Sequence, residues 1–371
     1  MKNKKFYFFI GTTAELIKLA PVIREFEKRL IDYKIIASNQ NVLCFDEVTS
    51  IINKKSPDYT FRVKSSKYLQ DIYLRFTVWL IRSLGNYFLY FRNQFWGYRK
   101  KDVFFIVHGD TMTSFIGSLI AKLNGIRLVH VESGLRSFSF LEPFPEEFCR
   151  FITSRLADIH FCPNRWAKNN LKGYGGVKID TLYNTVGESV FLALKSSNEI
   201  DLFRSKKQRY FILVIHWQEH TLFSKQNTEK IVNLFIRKAN DNLKCVFVMH
   251  KLTRDYLVKQ RLFNKMRSNP NVILPSRLPY PSFIKLVKSC EFIATDGGTN
   301  QEEAYFLGKP CLILRNRAER IEGLRKNALL SHNKEGEIND FINNYRKYKT
   351  REVSIKTRPS KIIVDYLLRA K

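Results

Sequence analysis

The sequence has little of what marks metal-binding, secreted or membrane-spanning proteins. Its 371 residues include only six cysteines, which are scattered and form no C-x-x-C pair. No combination of cysteine and histidine has the spacing of zinc ligands, so no metal is expected. The cysteines are therefore predicted to be reduced thiols in a cytoplasmic protein. The apolar run in MKNKKFYFFIGTT is too short for a signal peptide and predicts a buried first strand.

Acidic residues are also scarce relative to basic ones. The chain has 63 Lys and Arg against 34 Asp and Glu, a net charge of +29. This excess favours anionic partners, such as phosphorylated ligands or an anionic membrane surface. A basic, solvated surface without a dedicated partner is the alternative. No RNA- or DNA-binding motif accompanies the charge, so nucleic acid is not expected as a partner.

The G-x-G-x-x-G and P-loop motifs are missing, but a regular alternation of apolar runs and helical patterns is present. It predicts an α/β fold with parallel sheets and helices on both faces. The turn-rich segment Tyr174–Glu188 is expected to link two similar halves facing a cleft. The expected domains are residues 1–180 and 181–358, and a C-terminal helix in 359–371 is a candidate to pack on the first domain. The predicted strands are Lys5–Ile10, Lys34–Ala37, Val103–Val107, Leu128–Val131 and Ile159–Cys162, then Tyr210–Ile215, Lys244–Met249, Val272–Leu274, Phe292–Thr295 and Cys311–Leu314.

One aromatic and leucine-rich block, Leu69–Arg99, lacks the uninterrupted apolar run of a membrane-spanning helix. Arg75, Arg82 and Arg92 interrupt it, and about 20 apolar residues would be needed to cross a bilayer. Two interpretations remain open. A cationic, aromatic helix can lie in a membrane interface, or a helix pair can cover the sheet with its basic residues outward.

Three acidic residues lie in or beside predicted strand-to-helix turns, where α/β proteins bind their ligands. Asp110 and Glu132 directly follow short apolar runs, and the carboxyl ends of parallel strands face the ligand crevice. Glu146 follows a proline in the loop PFPEEFCR, where Glu147 is an equally acidic neighbour. Carboxylates crowded in a closed site suit proton transfer to or from carbon. Structural alternatives are an N-cap role for Asp110 and ion pairs of Glu132 with Arg136 or Arg150.

Two basic side chains are placed to contact an anionic ligand near these carboxylates. The turn that begins at Gly11 leads into a helix, whose free N–H groups and Lys18 would suit an anion. Lys18 can equally be a surface lysine. His216 ends the first strand of the second half and is predicted to face the same cleft, with a structural histidine as the alternative.

A second anion site is predicted in ATDGGTNQEEAYFLGKP. Gly297 and Gly298 let the backbone approach a ligand closely, and the helix starting near Asn300 directs its N-terminus at it. Glu303 or its neighbour Glu302 would suit sugar hydroxyls, or would simply stabilise the helix N-terminus. Arg315, at the end of the next strand, suits a phosphate.

Together these segments resemble the non-hydrolysing UDP-N-acetylglucosamine 2-epimerases. The matching stretches, in chain order, are GTTAELIKLAPVI, VHGDTMTS, HVESGLRS, PFPEEFCR, RLADIHFCPN, the NTV at Asn184–Val186, DGGTNQEEAYFLGKP and LRNRAERIEG. The resemblance covers most of the chain apart from Leu69–Arg99. It implies a GT-B architecture of two Rossmann-like domains with a UDP-sugar between them. It also implies a possible homodimer, and neither a metal nor a nicotinamide cofactor.

The resemblance implies elimination and re-addition of UDP at the sugar. A base removes the C2 proton, UDP leaves to give a glycal, and protonation on the other face gives the epimer. The family's roles fall on the following residues: acid/base groups at Asp110, Glu132 and Glu146, a cleft histidine at His216, a loop lysine at Lys18 and a ribose-binding glutamate at Glu303. Further substrate contacts are expected from Arg136, Gly297, Gly298, Thr299 and Arg315.

This sequence departs from the family mainly where the diphosphate would bind. The family motif carries Arg at the position of Thr13 and Pro at that of Ala14. Its Gly-Gln-His turn appears as Asn39-Gln40-Asn41. Trp217 and Gln218 replace the arginines that usually follow the cleft histidine, and the Asp-Ser-Gly-Gly loop is Asp296-Gly297-Gly298-Thr299.

The expected function is a cytoplasmic UDP-sugar 2-epimerase that supplies an N-acetylated sugar for surface polysaccharide. The alternative is a GT-B glycosyltransferase that uses a UDP-sugar donor and a lipid-linked acceptor at the inner membrane face. The net charge, the block Leu69–Arg99 and the altered phosphate loop motivate this alternative.

Overall fold

The computed structural model describes residues 4–63, 72–95, 98–139, 145–196, 208–215, 225–249, 251–276 and 278–370. The chain forms two compact units. The first comprises Met1–Leu192 together with Ile355–Lys371, and the second comprises Ala193–Ser354. Each unit is built on its own parallel sheet, and the predicted α/β class is confirmed.

The first unit has a seven-stranded sheet with the order β3-β2-β1-β4-β5-β6-β7. Every described pairing in it is parallel. Its central strands are apolar throughout because helices cover both faces of a parallel sheet. The strands are β1 Lys5–Ile10, β2 Lys34–Ala37, β3 Tyr59–Thr60, β4 Val103–His108, β5 Arg127–Val131, β6 Ile159–Cys162 and β7 Val177–Asp180.

The helices of the first unit follow these strands and bury their apolar faces on the sheet. They are α1 Thr13–Lys28, α2 Ile72–Asn86, α3 Met112–Asn124, α4 Glu146–Leu156, α5 Arg165–Asn170 and α6 Val186–Leu194. Thr12 caps α1, and a capping box joins its side chain to Glu15. Thr111 caps α3, with its side chain accepting a hydrogen bond from the Ser114 N–H.

The prediction that Tyr174–Glu188 is an irregular linker between the two halves is wrong. It contains the edge strand β7, so Ile159–Cys162 is not the last strand of the first sheet. Strand β7 was missed because its VKID sequence is only partly buried and has no apolar run.

The Leu69–Arg99 block covers the sheet where it is described. Helix α2 continues into a π-helical turn at Tyr87–Phe91 and a 3₁₀ turn at Arg92–Phe95. Trp79, Tyr87 and Phe95 lie in the same apolar core as residues of β1 and β4. The Phe95 ring lies 5.2 Å from the Tyr7 ring, centroid to centroid. None of the described helices is long and apolar enough to cross a membrane.

The second unit has a six-stranded parallel sheet with the order β10-β9-β8-β11-β12-β13. Its strands are β8 Tyr210–Ile215, β9 Lys244–Met249, β10 Val272–Ile273, β11 Ile293–Thr295, β12 Cys311–Ile313 and β13 Ala328–Leu330. Its helices are α7 Lys225–Lys238, α8 Lys251–Lys259, α9 Leu262–Arg267, α10 Tyr280–Ser289, α11 Gly298–Phe306 and α12 Glu335–Asn344. The C-terminal helix α13, Pro359–Arg369, belongs to the first unit, where Ile363, Val364 and Leu367 join the core beside α1.

Candidate active site

The candidate catalytic residues of the first unit meet because β1, β4 and β5 are adjacent in its sheet. The turn after β1 leads to Lys18, the turn after β4 carries Asp110, and Glu132 directly follows β5. Carboxyl ends of parallel strands share one edge of the sheet, so these side chains converge there.

Glu132 is held in a buried ion pair with Lys18. The Lys18 Nζ lies 2.9 and 3.0 Å from the two carboxylate oxygens, and the two residues are 6% and 4% exposed. Asn184 donates a further hydrogen bond through Nδ2, and the His108 Nε2 lies 3.8 Å away. The interpretation of Lys18 as a surface lysine is therefore wrong. A cationic amine and an amide meet one carboxylate where water is excluded, which strengthens the attraction between them.

The backbone at Glu132 has a left-handed conformation, with φ at 63°. A non-glycine residue adopts this region at a conformational cost, and such cost concentrates at functional positions. The side chain of this residue is the one that binds Lys18 and Asn184.

Asp110 is bound by a buried arginine from α4. Arg150, which is 1% exposed, donates to Asp110 through Nη2, while the Asp110 side chain stays 22% exposed. Arg150 also reaches Glu147, with its Nη1 2.5 Å from Oε2. The alternative of Asp110 as a helix cap is wrong, because Thr111 is the N-cap of α3.

Glu146 and Glu147 have different surroundings. Glu147 is fully buried and accepts hydrogen bonds from Arg136, Arg150 and the Ser137 N–H, the last at 3.0 Å. Glu146, the first residue of α4, is half-buried. Two arginines bind the buried Glu147, whereas Glu146 is less buried.

Glu15 is a buried carboxylate next to the candidate residues, and the sequence analysis did not predict it. Its Oε2 accepts from the N–H groups of Gly11 and Thr12 at 2.7 and 2.8 Å, and its Oε1 accepts from the Thr111 hydroxyl at 2.5 Å. Burial raises its pKa to about 7, and these hydrogen bonds oppose the rise. The capping-box spacing from Thr12 to Glu15 was visible in the sequence.

Two buried histidines support the same strand ends and were also missed. The His130 Nε2 lies 2.7 Å from the Gly109 carbonyl oxygen, beside Asp110. The His160 Nδ1 lies 2.9 Å from the Ser133 hydroxyl, beside Glu132. Burial lowers the pKa of His130 to about 3 and that of His160 to about 4, so both rings are neutral near pH 7.

In the first unit, the residues that differ from the family motif form hydrogen bonds with neighbouring loops and helices. Thr13, at the position of the family arginine, accepts the Cys44 N–H at 3.1 Å through its hydroxyl. Gln40, in the altered turn, accepts from the Thr113 N–H at 3.1 Å and its hydroxyl at 2.8 Å. These residues fix the loop after β2 to the starts of α1 and α3.

The second unit carries the predicted anion-binding loop between β11 and α11. Helix α11 begins at Gly298 rather than near Asn300, and Gly297, Gly298 and Thr299 are half-buried. The Gly297 N–H donates to the Thr295 hydroxyl at 2.9 Å. The loop is thus fixed by its own strand end.

Glu303 is almost fully buried in the second unit. It accepts from the Asn300 Nδ2 at 2.8 Å. Burial and this carboxylate raise the pKa of Tyr280 well above its ordinary value. Its neighbour Glu302 has a structural partner, with its Oε2 2.9 Å from the Arg320 Nε.

The start of α11 is crowded by side-chain ends at position 298. A Cβ there would lie 2.2 Å from the Arg320 Nη1 and 2.7 Å from a Glu319 carboxylate oxygen. Arg315 extends the cluster, with its Nη1 2.9 Å from the Glu319 Oε2. Arg315 and Arg320 are thus paired with Glu319 and Glu302 beside a helix N-terminus, whose free N–H groups suit an anion.

The remaining expectations concern histidine and metals. His216 lies outside the described residues. Among the residues that the structure describes, no three His, Cys, Asp or Glu side chains are grouped to hold a metal ion. All six cysteines are free thiols.

The protein has the architecture of the GT-B class of α/β enzymes. It has two units, each built on a parallel sheet, with carboxylates at the strand ends of the first unit and a helix that begins at a glycine in the second. The chain belongs to the UDP-N-acetylglucosamine 2-epimerase family. The family model described by that name matches residues 80–359. The earlier resemblance is thereby confirmed.

Individual relatives agree along most of the chain. The UDP-N-acetylglucosamine 2-epimerase of Methanocaldococcus jannaschii is 32% identical, and the match covers 89% of each chain. The crystal structure of that organism's enzyme, in complex with UDP-GlcNAc and UDP, has a TM-score of 0.82 over 98% of this chain and 99% of that one. The Neisseria meningitidis enzyme bound to UDP-GlcNAc has a TM-score of 0.79 at 27% identity, over 98% of this chain and all of that one.

Proposed function

We propose that this protein epimerises C2 of a UDP-N-acetylhexosamine by eliminating and re-adding UDP. The observation that carries this proposal is the convergence of Asp110 and Glu132 on one sheet edge, each bound by a buried cation. Family membership favours this function over the glycosyltransferase alternative.

The chemistry requires two proton transfers at C2, removal of the proton from one face of the sugar and its return on the other. Removal of the C2 proton leaves an electron pair that forms the C1–C2 double bond, while the C1–O bond breaks and its electrons leave with UDP. Returning the proton to the other face of C2 and UDP to C1 gives the epimer. Positioned carboxyl groups are suitable acids and bases for both steps.

We assign the proton transfers to Asp110 and Glu146 and the electrostatic support to the Lys18–Glu132 pair. Asp110 and Glu146 are the less buried acidic groups of the set. Glu132 is enclosed by Lys18 and Asn184, which hold it in one orientation. Arg136, bound to Glu147, lies next to this set as a candidate substrate contact.

The second unit is proposed to bind the uridine diphosphate. The start of α11 at Gly297, Gly298 and Thr299 offers backbone N–H groups and a dipole to the phosphates. Glu303 is proposed to accept from ribose hydroxyls, and Arg315 to contact a phosphate. His216 remains a candidate contact on sequence grounds.

The departures from the family predict weaker binding of the diphosphate. Each charged hydrogen bond that is lost contributes about 1.5–3 kcal/mol. The Thr13 hydroxyl contacts the loop after β2, and no arginine stands at that position. A higher KM for the UDP-sugar than in relatives with that arginine is therefore expected.

The test incubates the purified protein with UDP-N-acetylglucosamine in D₂O and follows C2 by NMR. Formation of the manno epimer with deuterium at C2 is expected. Absence of both epimer and exchange, with this and related UDP-N-acetylhexosamines, would refute the proposal.

Glu146 and Glu147 supply a matched pair of variants for the assignment. Glu146→Gln should lower the rate of C2 exchange at least about a hundredfold with little change in thermal stability. Glu147→Gln should destabilise the protein by about 3–5 kcal/mol, because it breaks a buried ion pair with two arginines. The opposite pattern would transfer the catalytic role to Glu147.

We also propose that the exposed face of α2 and its continuation contacts an anionic membrane. This face presents Ile81, Phe88 and Leu89, which are 64, 51 and 76% exposed and recur at helical spacing. Arg82 is exposed next to Ile81 in the sequence. Apolar groups bordered by cations suit an anionic lipid surface. A second copy of the chain would bring like charges together, so we favour lipid over a homodimer here.

Co-sedimentation with vesicles tests the membrane contact. Binding to vesicles containing phosphatidylserine, but not to neutral ones, is expected, and it should weaken with salt and with Phe88→Ser plus Leu89→Ser. No binding would refute the contact. A dimer that this double substitution dissociates would assign the face to self-association instead.

A further inference from the structure

Glu15 forms hydrogen bonds to the first residues of two helices, and the turns before these helices carry residues of the proposed epimerase site. One carboxylate oxygen accepts from the Gly11 and Thr12 N–H groups, which begin α1. The other accepts from the Thr111 hydroxyl, which lies at the start of α3. A single side chain therefore spans the turn after β1 and the turn after β4.

Thr111 has two functions in this contact. Its hydroxyl oxygen accepts the Ser114 N–H at 3.1 Å and so caps α3, while its proton is donated to Glu15. The Glu15 carboxyl is thus connected to the free N–H groups of both helices, directly in α1 and through one hydroxyl in α3.

Both turns carry a residue of the candidate site close to this contact. Lys18 follows Glu15 by three residues, which is one turn of α1, and binds Glu132. Asp110 directly precedes Thr111 and binds Arg150. Any shift between the two turns would change the distance between the Lys18–Glu132 pair and Asp110.

We propose that Glu15 is a positioning residue of the epimerase, which fixes Lys18 and Asp110 relative to each other through Thr111. This inference rests on the proposed function for its kinetic consequences.

Helix capping alone does not account for the burial of this group. A capping-box glutamate commonly stays at the surface, where it reaches only the N-cap N–H. Glu15 is 3% exposed and uses its second oxygen outside its own helix. Burying a carboxyl group is unfavourable, as its raised pKa shows, and four donors compensate in part: the Gly11 and Thr12 N–H groups and the Thr12 and Thr111 hydroxyls.

The decisive variant is Glu15→Gln. A glutamine oxygen can still accept from Gly11 and Thr12, but its amide nitrogen cannot accept the Thr111 proton and can only donate to that hydroxyl, which reverses the contact. The expected result is a kcat lower by about tenfold to a hundredfold with KM within about threefold, because misplacement of catalytic groups affects the chemical step.

Two further variants separate positioning from stability. Thr111→Ser keeps the hydroxyl and should retain kcat within about twofold. Ser360→Ala removes a comparable contact, the donation of the Ser360 hydroxyl to Glu188 at the start of α13. It should lower the thermal stability of the same unit and leave kcat unchanged.

The outcomes distinguish this inference from the proposed function. A wild-type protein that epimerises, together with unchanged kcat in Glu15→Gln, overturns the positioning role. Loss of kcat in Ser360→Ala equal to that in Glu15→Gln would also overturn it, since stability alone would then explain both. If the wild type does not epimerise, crystal structures of the wild type and of Glu15→Gln test the positioning role instead. The turn that carries Asp110 should shift relative to α1 by at least about 0.5 Å in the variant. An unchanged turn would refute the positioning role.

Discussion

Replacing Lys18 with methionine should destabilise the first unit by about 3–5 kcal/mol. Methionine preserves most of the apolar stem but removes the ammonium group. Glu132 then loses two hydrogen bonds, at 2.9 and 3.0 Å, and its opposite charge while remaining 4% exposed. Removing one partner of a buried ion pair typically has a cost of this size, since the other charge stays desolvated.

Urea and thermal unfolding measure this effect. For a unit of this size, about 2–4 °C of Tm corresponds to each kcal/mol, so a fall of roughly 6–20 °C is expected. Lys34→Met is the matched control. The Lys34 Nζ lies 3.4 Å from Asp58, but its side chain is 53% exposed, and exposed pairs contribute less than about 1 kcal/mol.

A double variant shows whether charge is the cause. Lys18→Met combined with Glu132→Gln removes both charges and leaves Asn184 as a partner for the new amide. It should recover most of the lost stability. A loss below about 1 kcal/mol in Lys18→Met, or a double variant no more stable than the single one, would contradict the reasoning.

Three further predictions concern pH and packing. Because burial raises the pKa of Glu15 from 4.5 to about 7, the unfolding free energy should fall by about 3 kcal/mol as pH rises through that window, and Glu15→Gln should abolish this slope in urea titrations. His130, with its pKa lowered from 6.5 to about 3, should cause stability to fall as pH drops below about 6.5, and His130→Gln should flatten this acid limb. Gly298→Ala should destabilise the second unit by about 1–3 kcal/mol and weaken UDP binding by calorimetry, since its Cβ would meet Arg320, whereas Gly336→Ala, where a Cβ has nothing within 4 Å, should be neutral or stabilising.

The sequence predicted the inner strands well because strands buried between helices consist mostly of apolar residues. Strands β1, β2 and β6 have the predicted bounds, and each is a run of mostly apolar residues buried between helices. The edge strands β3 and β7 were missed. Their two and four residues are half-buried or exposed, so their pairing depends on neighbours that the local pattern does not contain.

The candidate site, too, could be predicted from the sequence only in part. The placement of Asp110 and Glu132 follows from strand ends, which the sequence shows. The partners of these carboxylates depend on tertiary contacts, such as the side of α4 that carries Arg150 toward Asp110. The choice between Glu146 and Glu147 could not be made from two adjacent glutamates, and only the burial of Glu147 between two arginines separates them.

Helix α13 places a constraint on how the chain can fold during synthesis. Its apolar residues complete the core around α1, and Lys4 donates to the carbonyl groups of Leu367, Leu368 and Ala370. Helix α13 is synthesised after the second unit and thus completes a unit whose other residues precede the second unit in the chain. The second unit is continuous in the chain and can close while the first still exposes the face of α1. At about 5–20 residues per second, that interval lasts on the order of tens of seconds, during which the exposed face is open to chaperones and to aggregation.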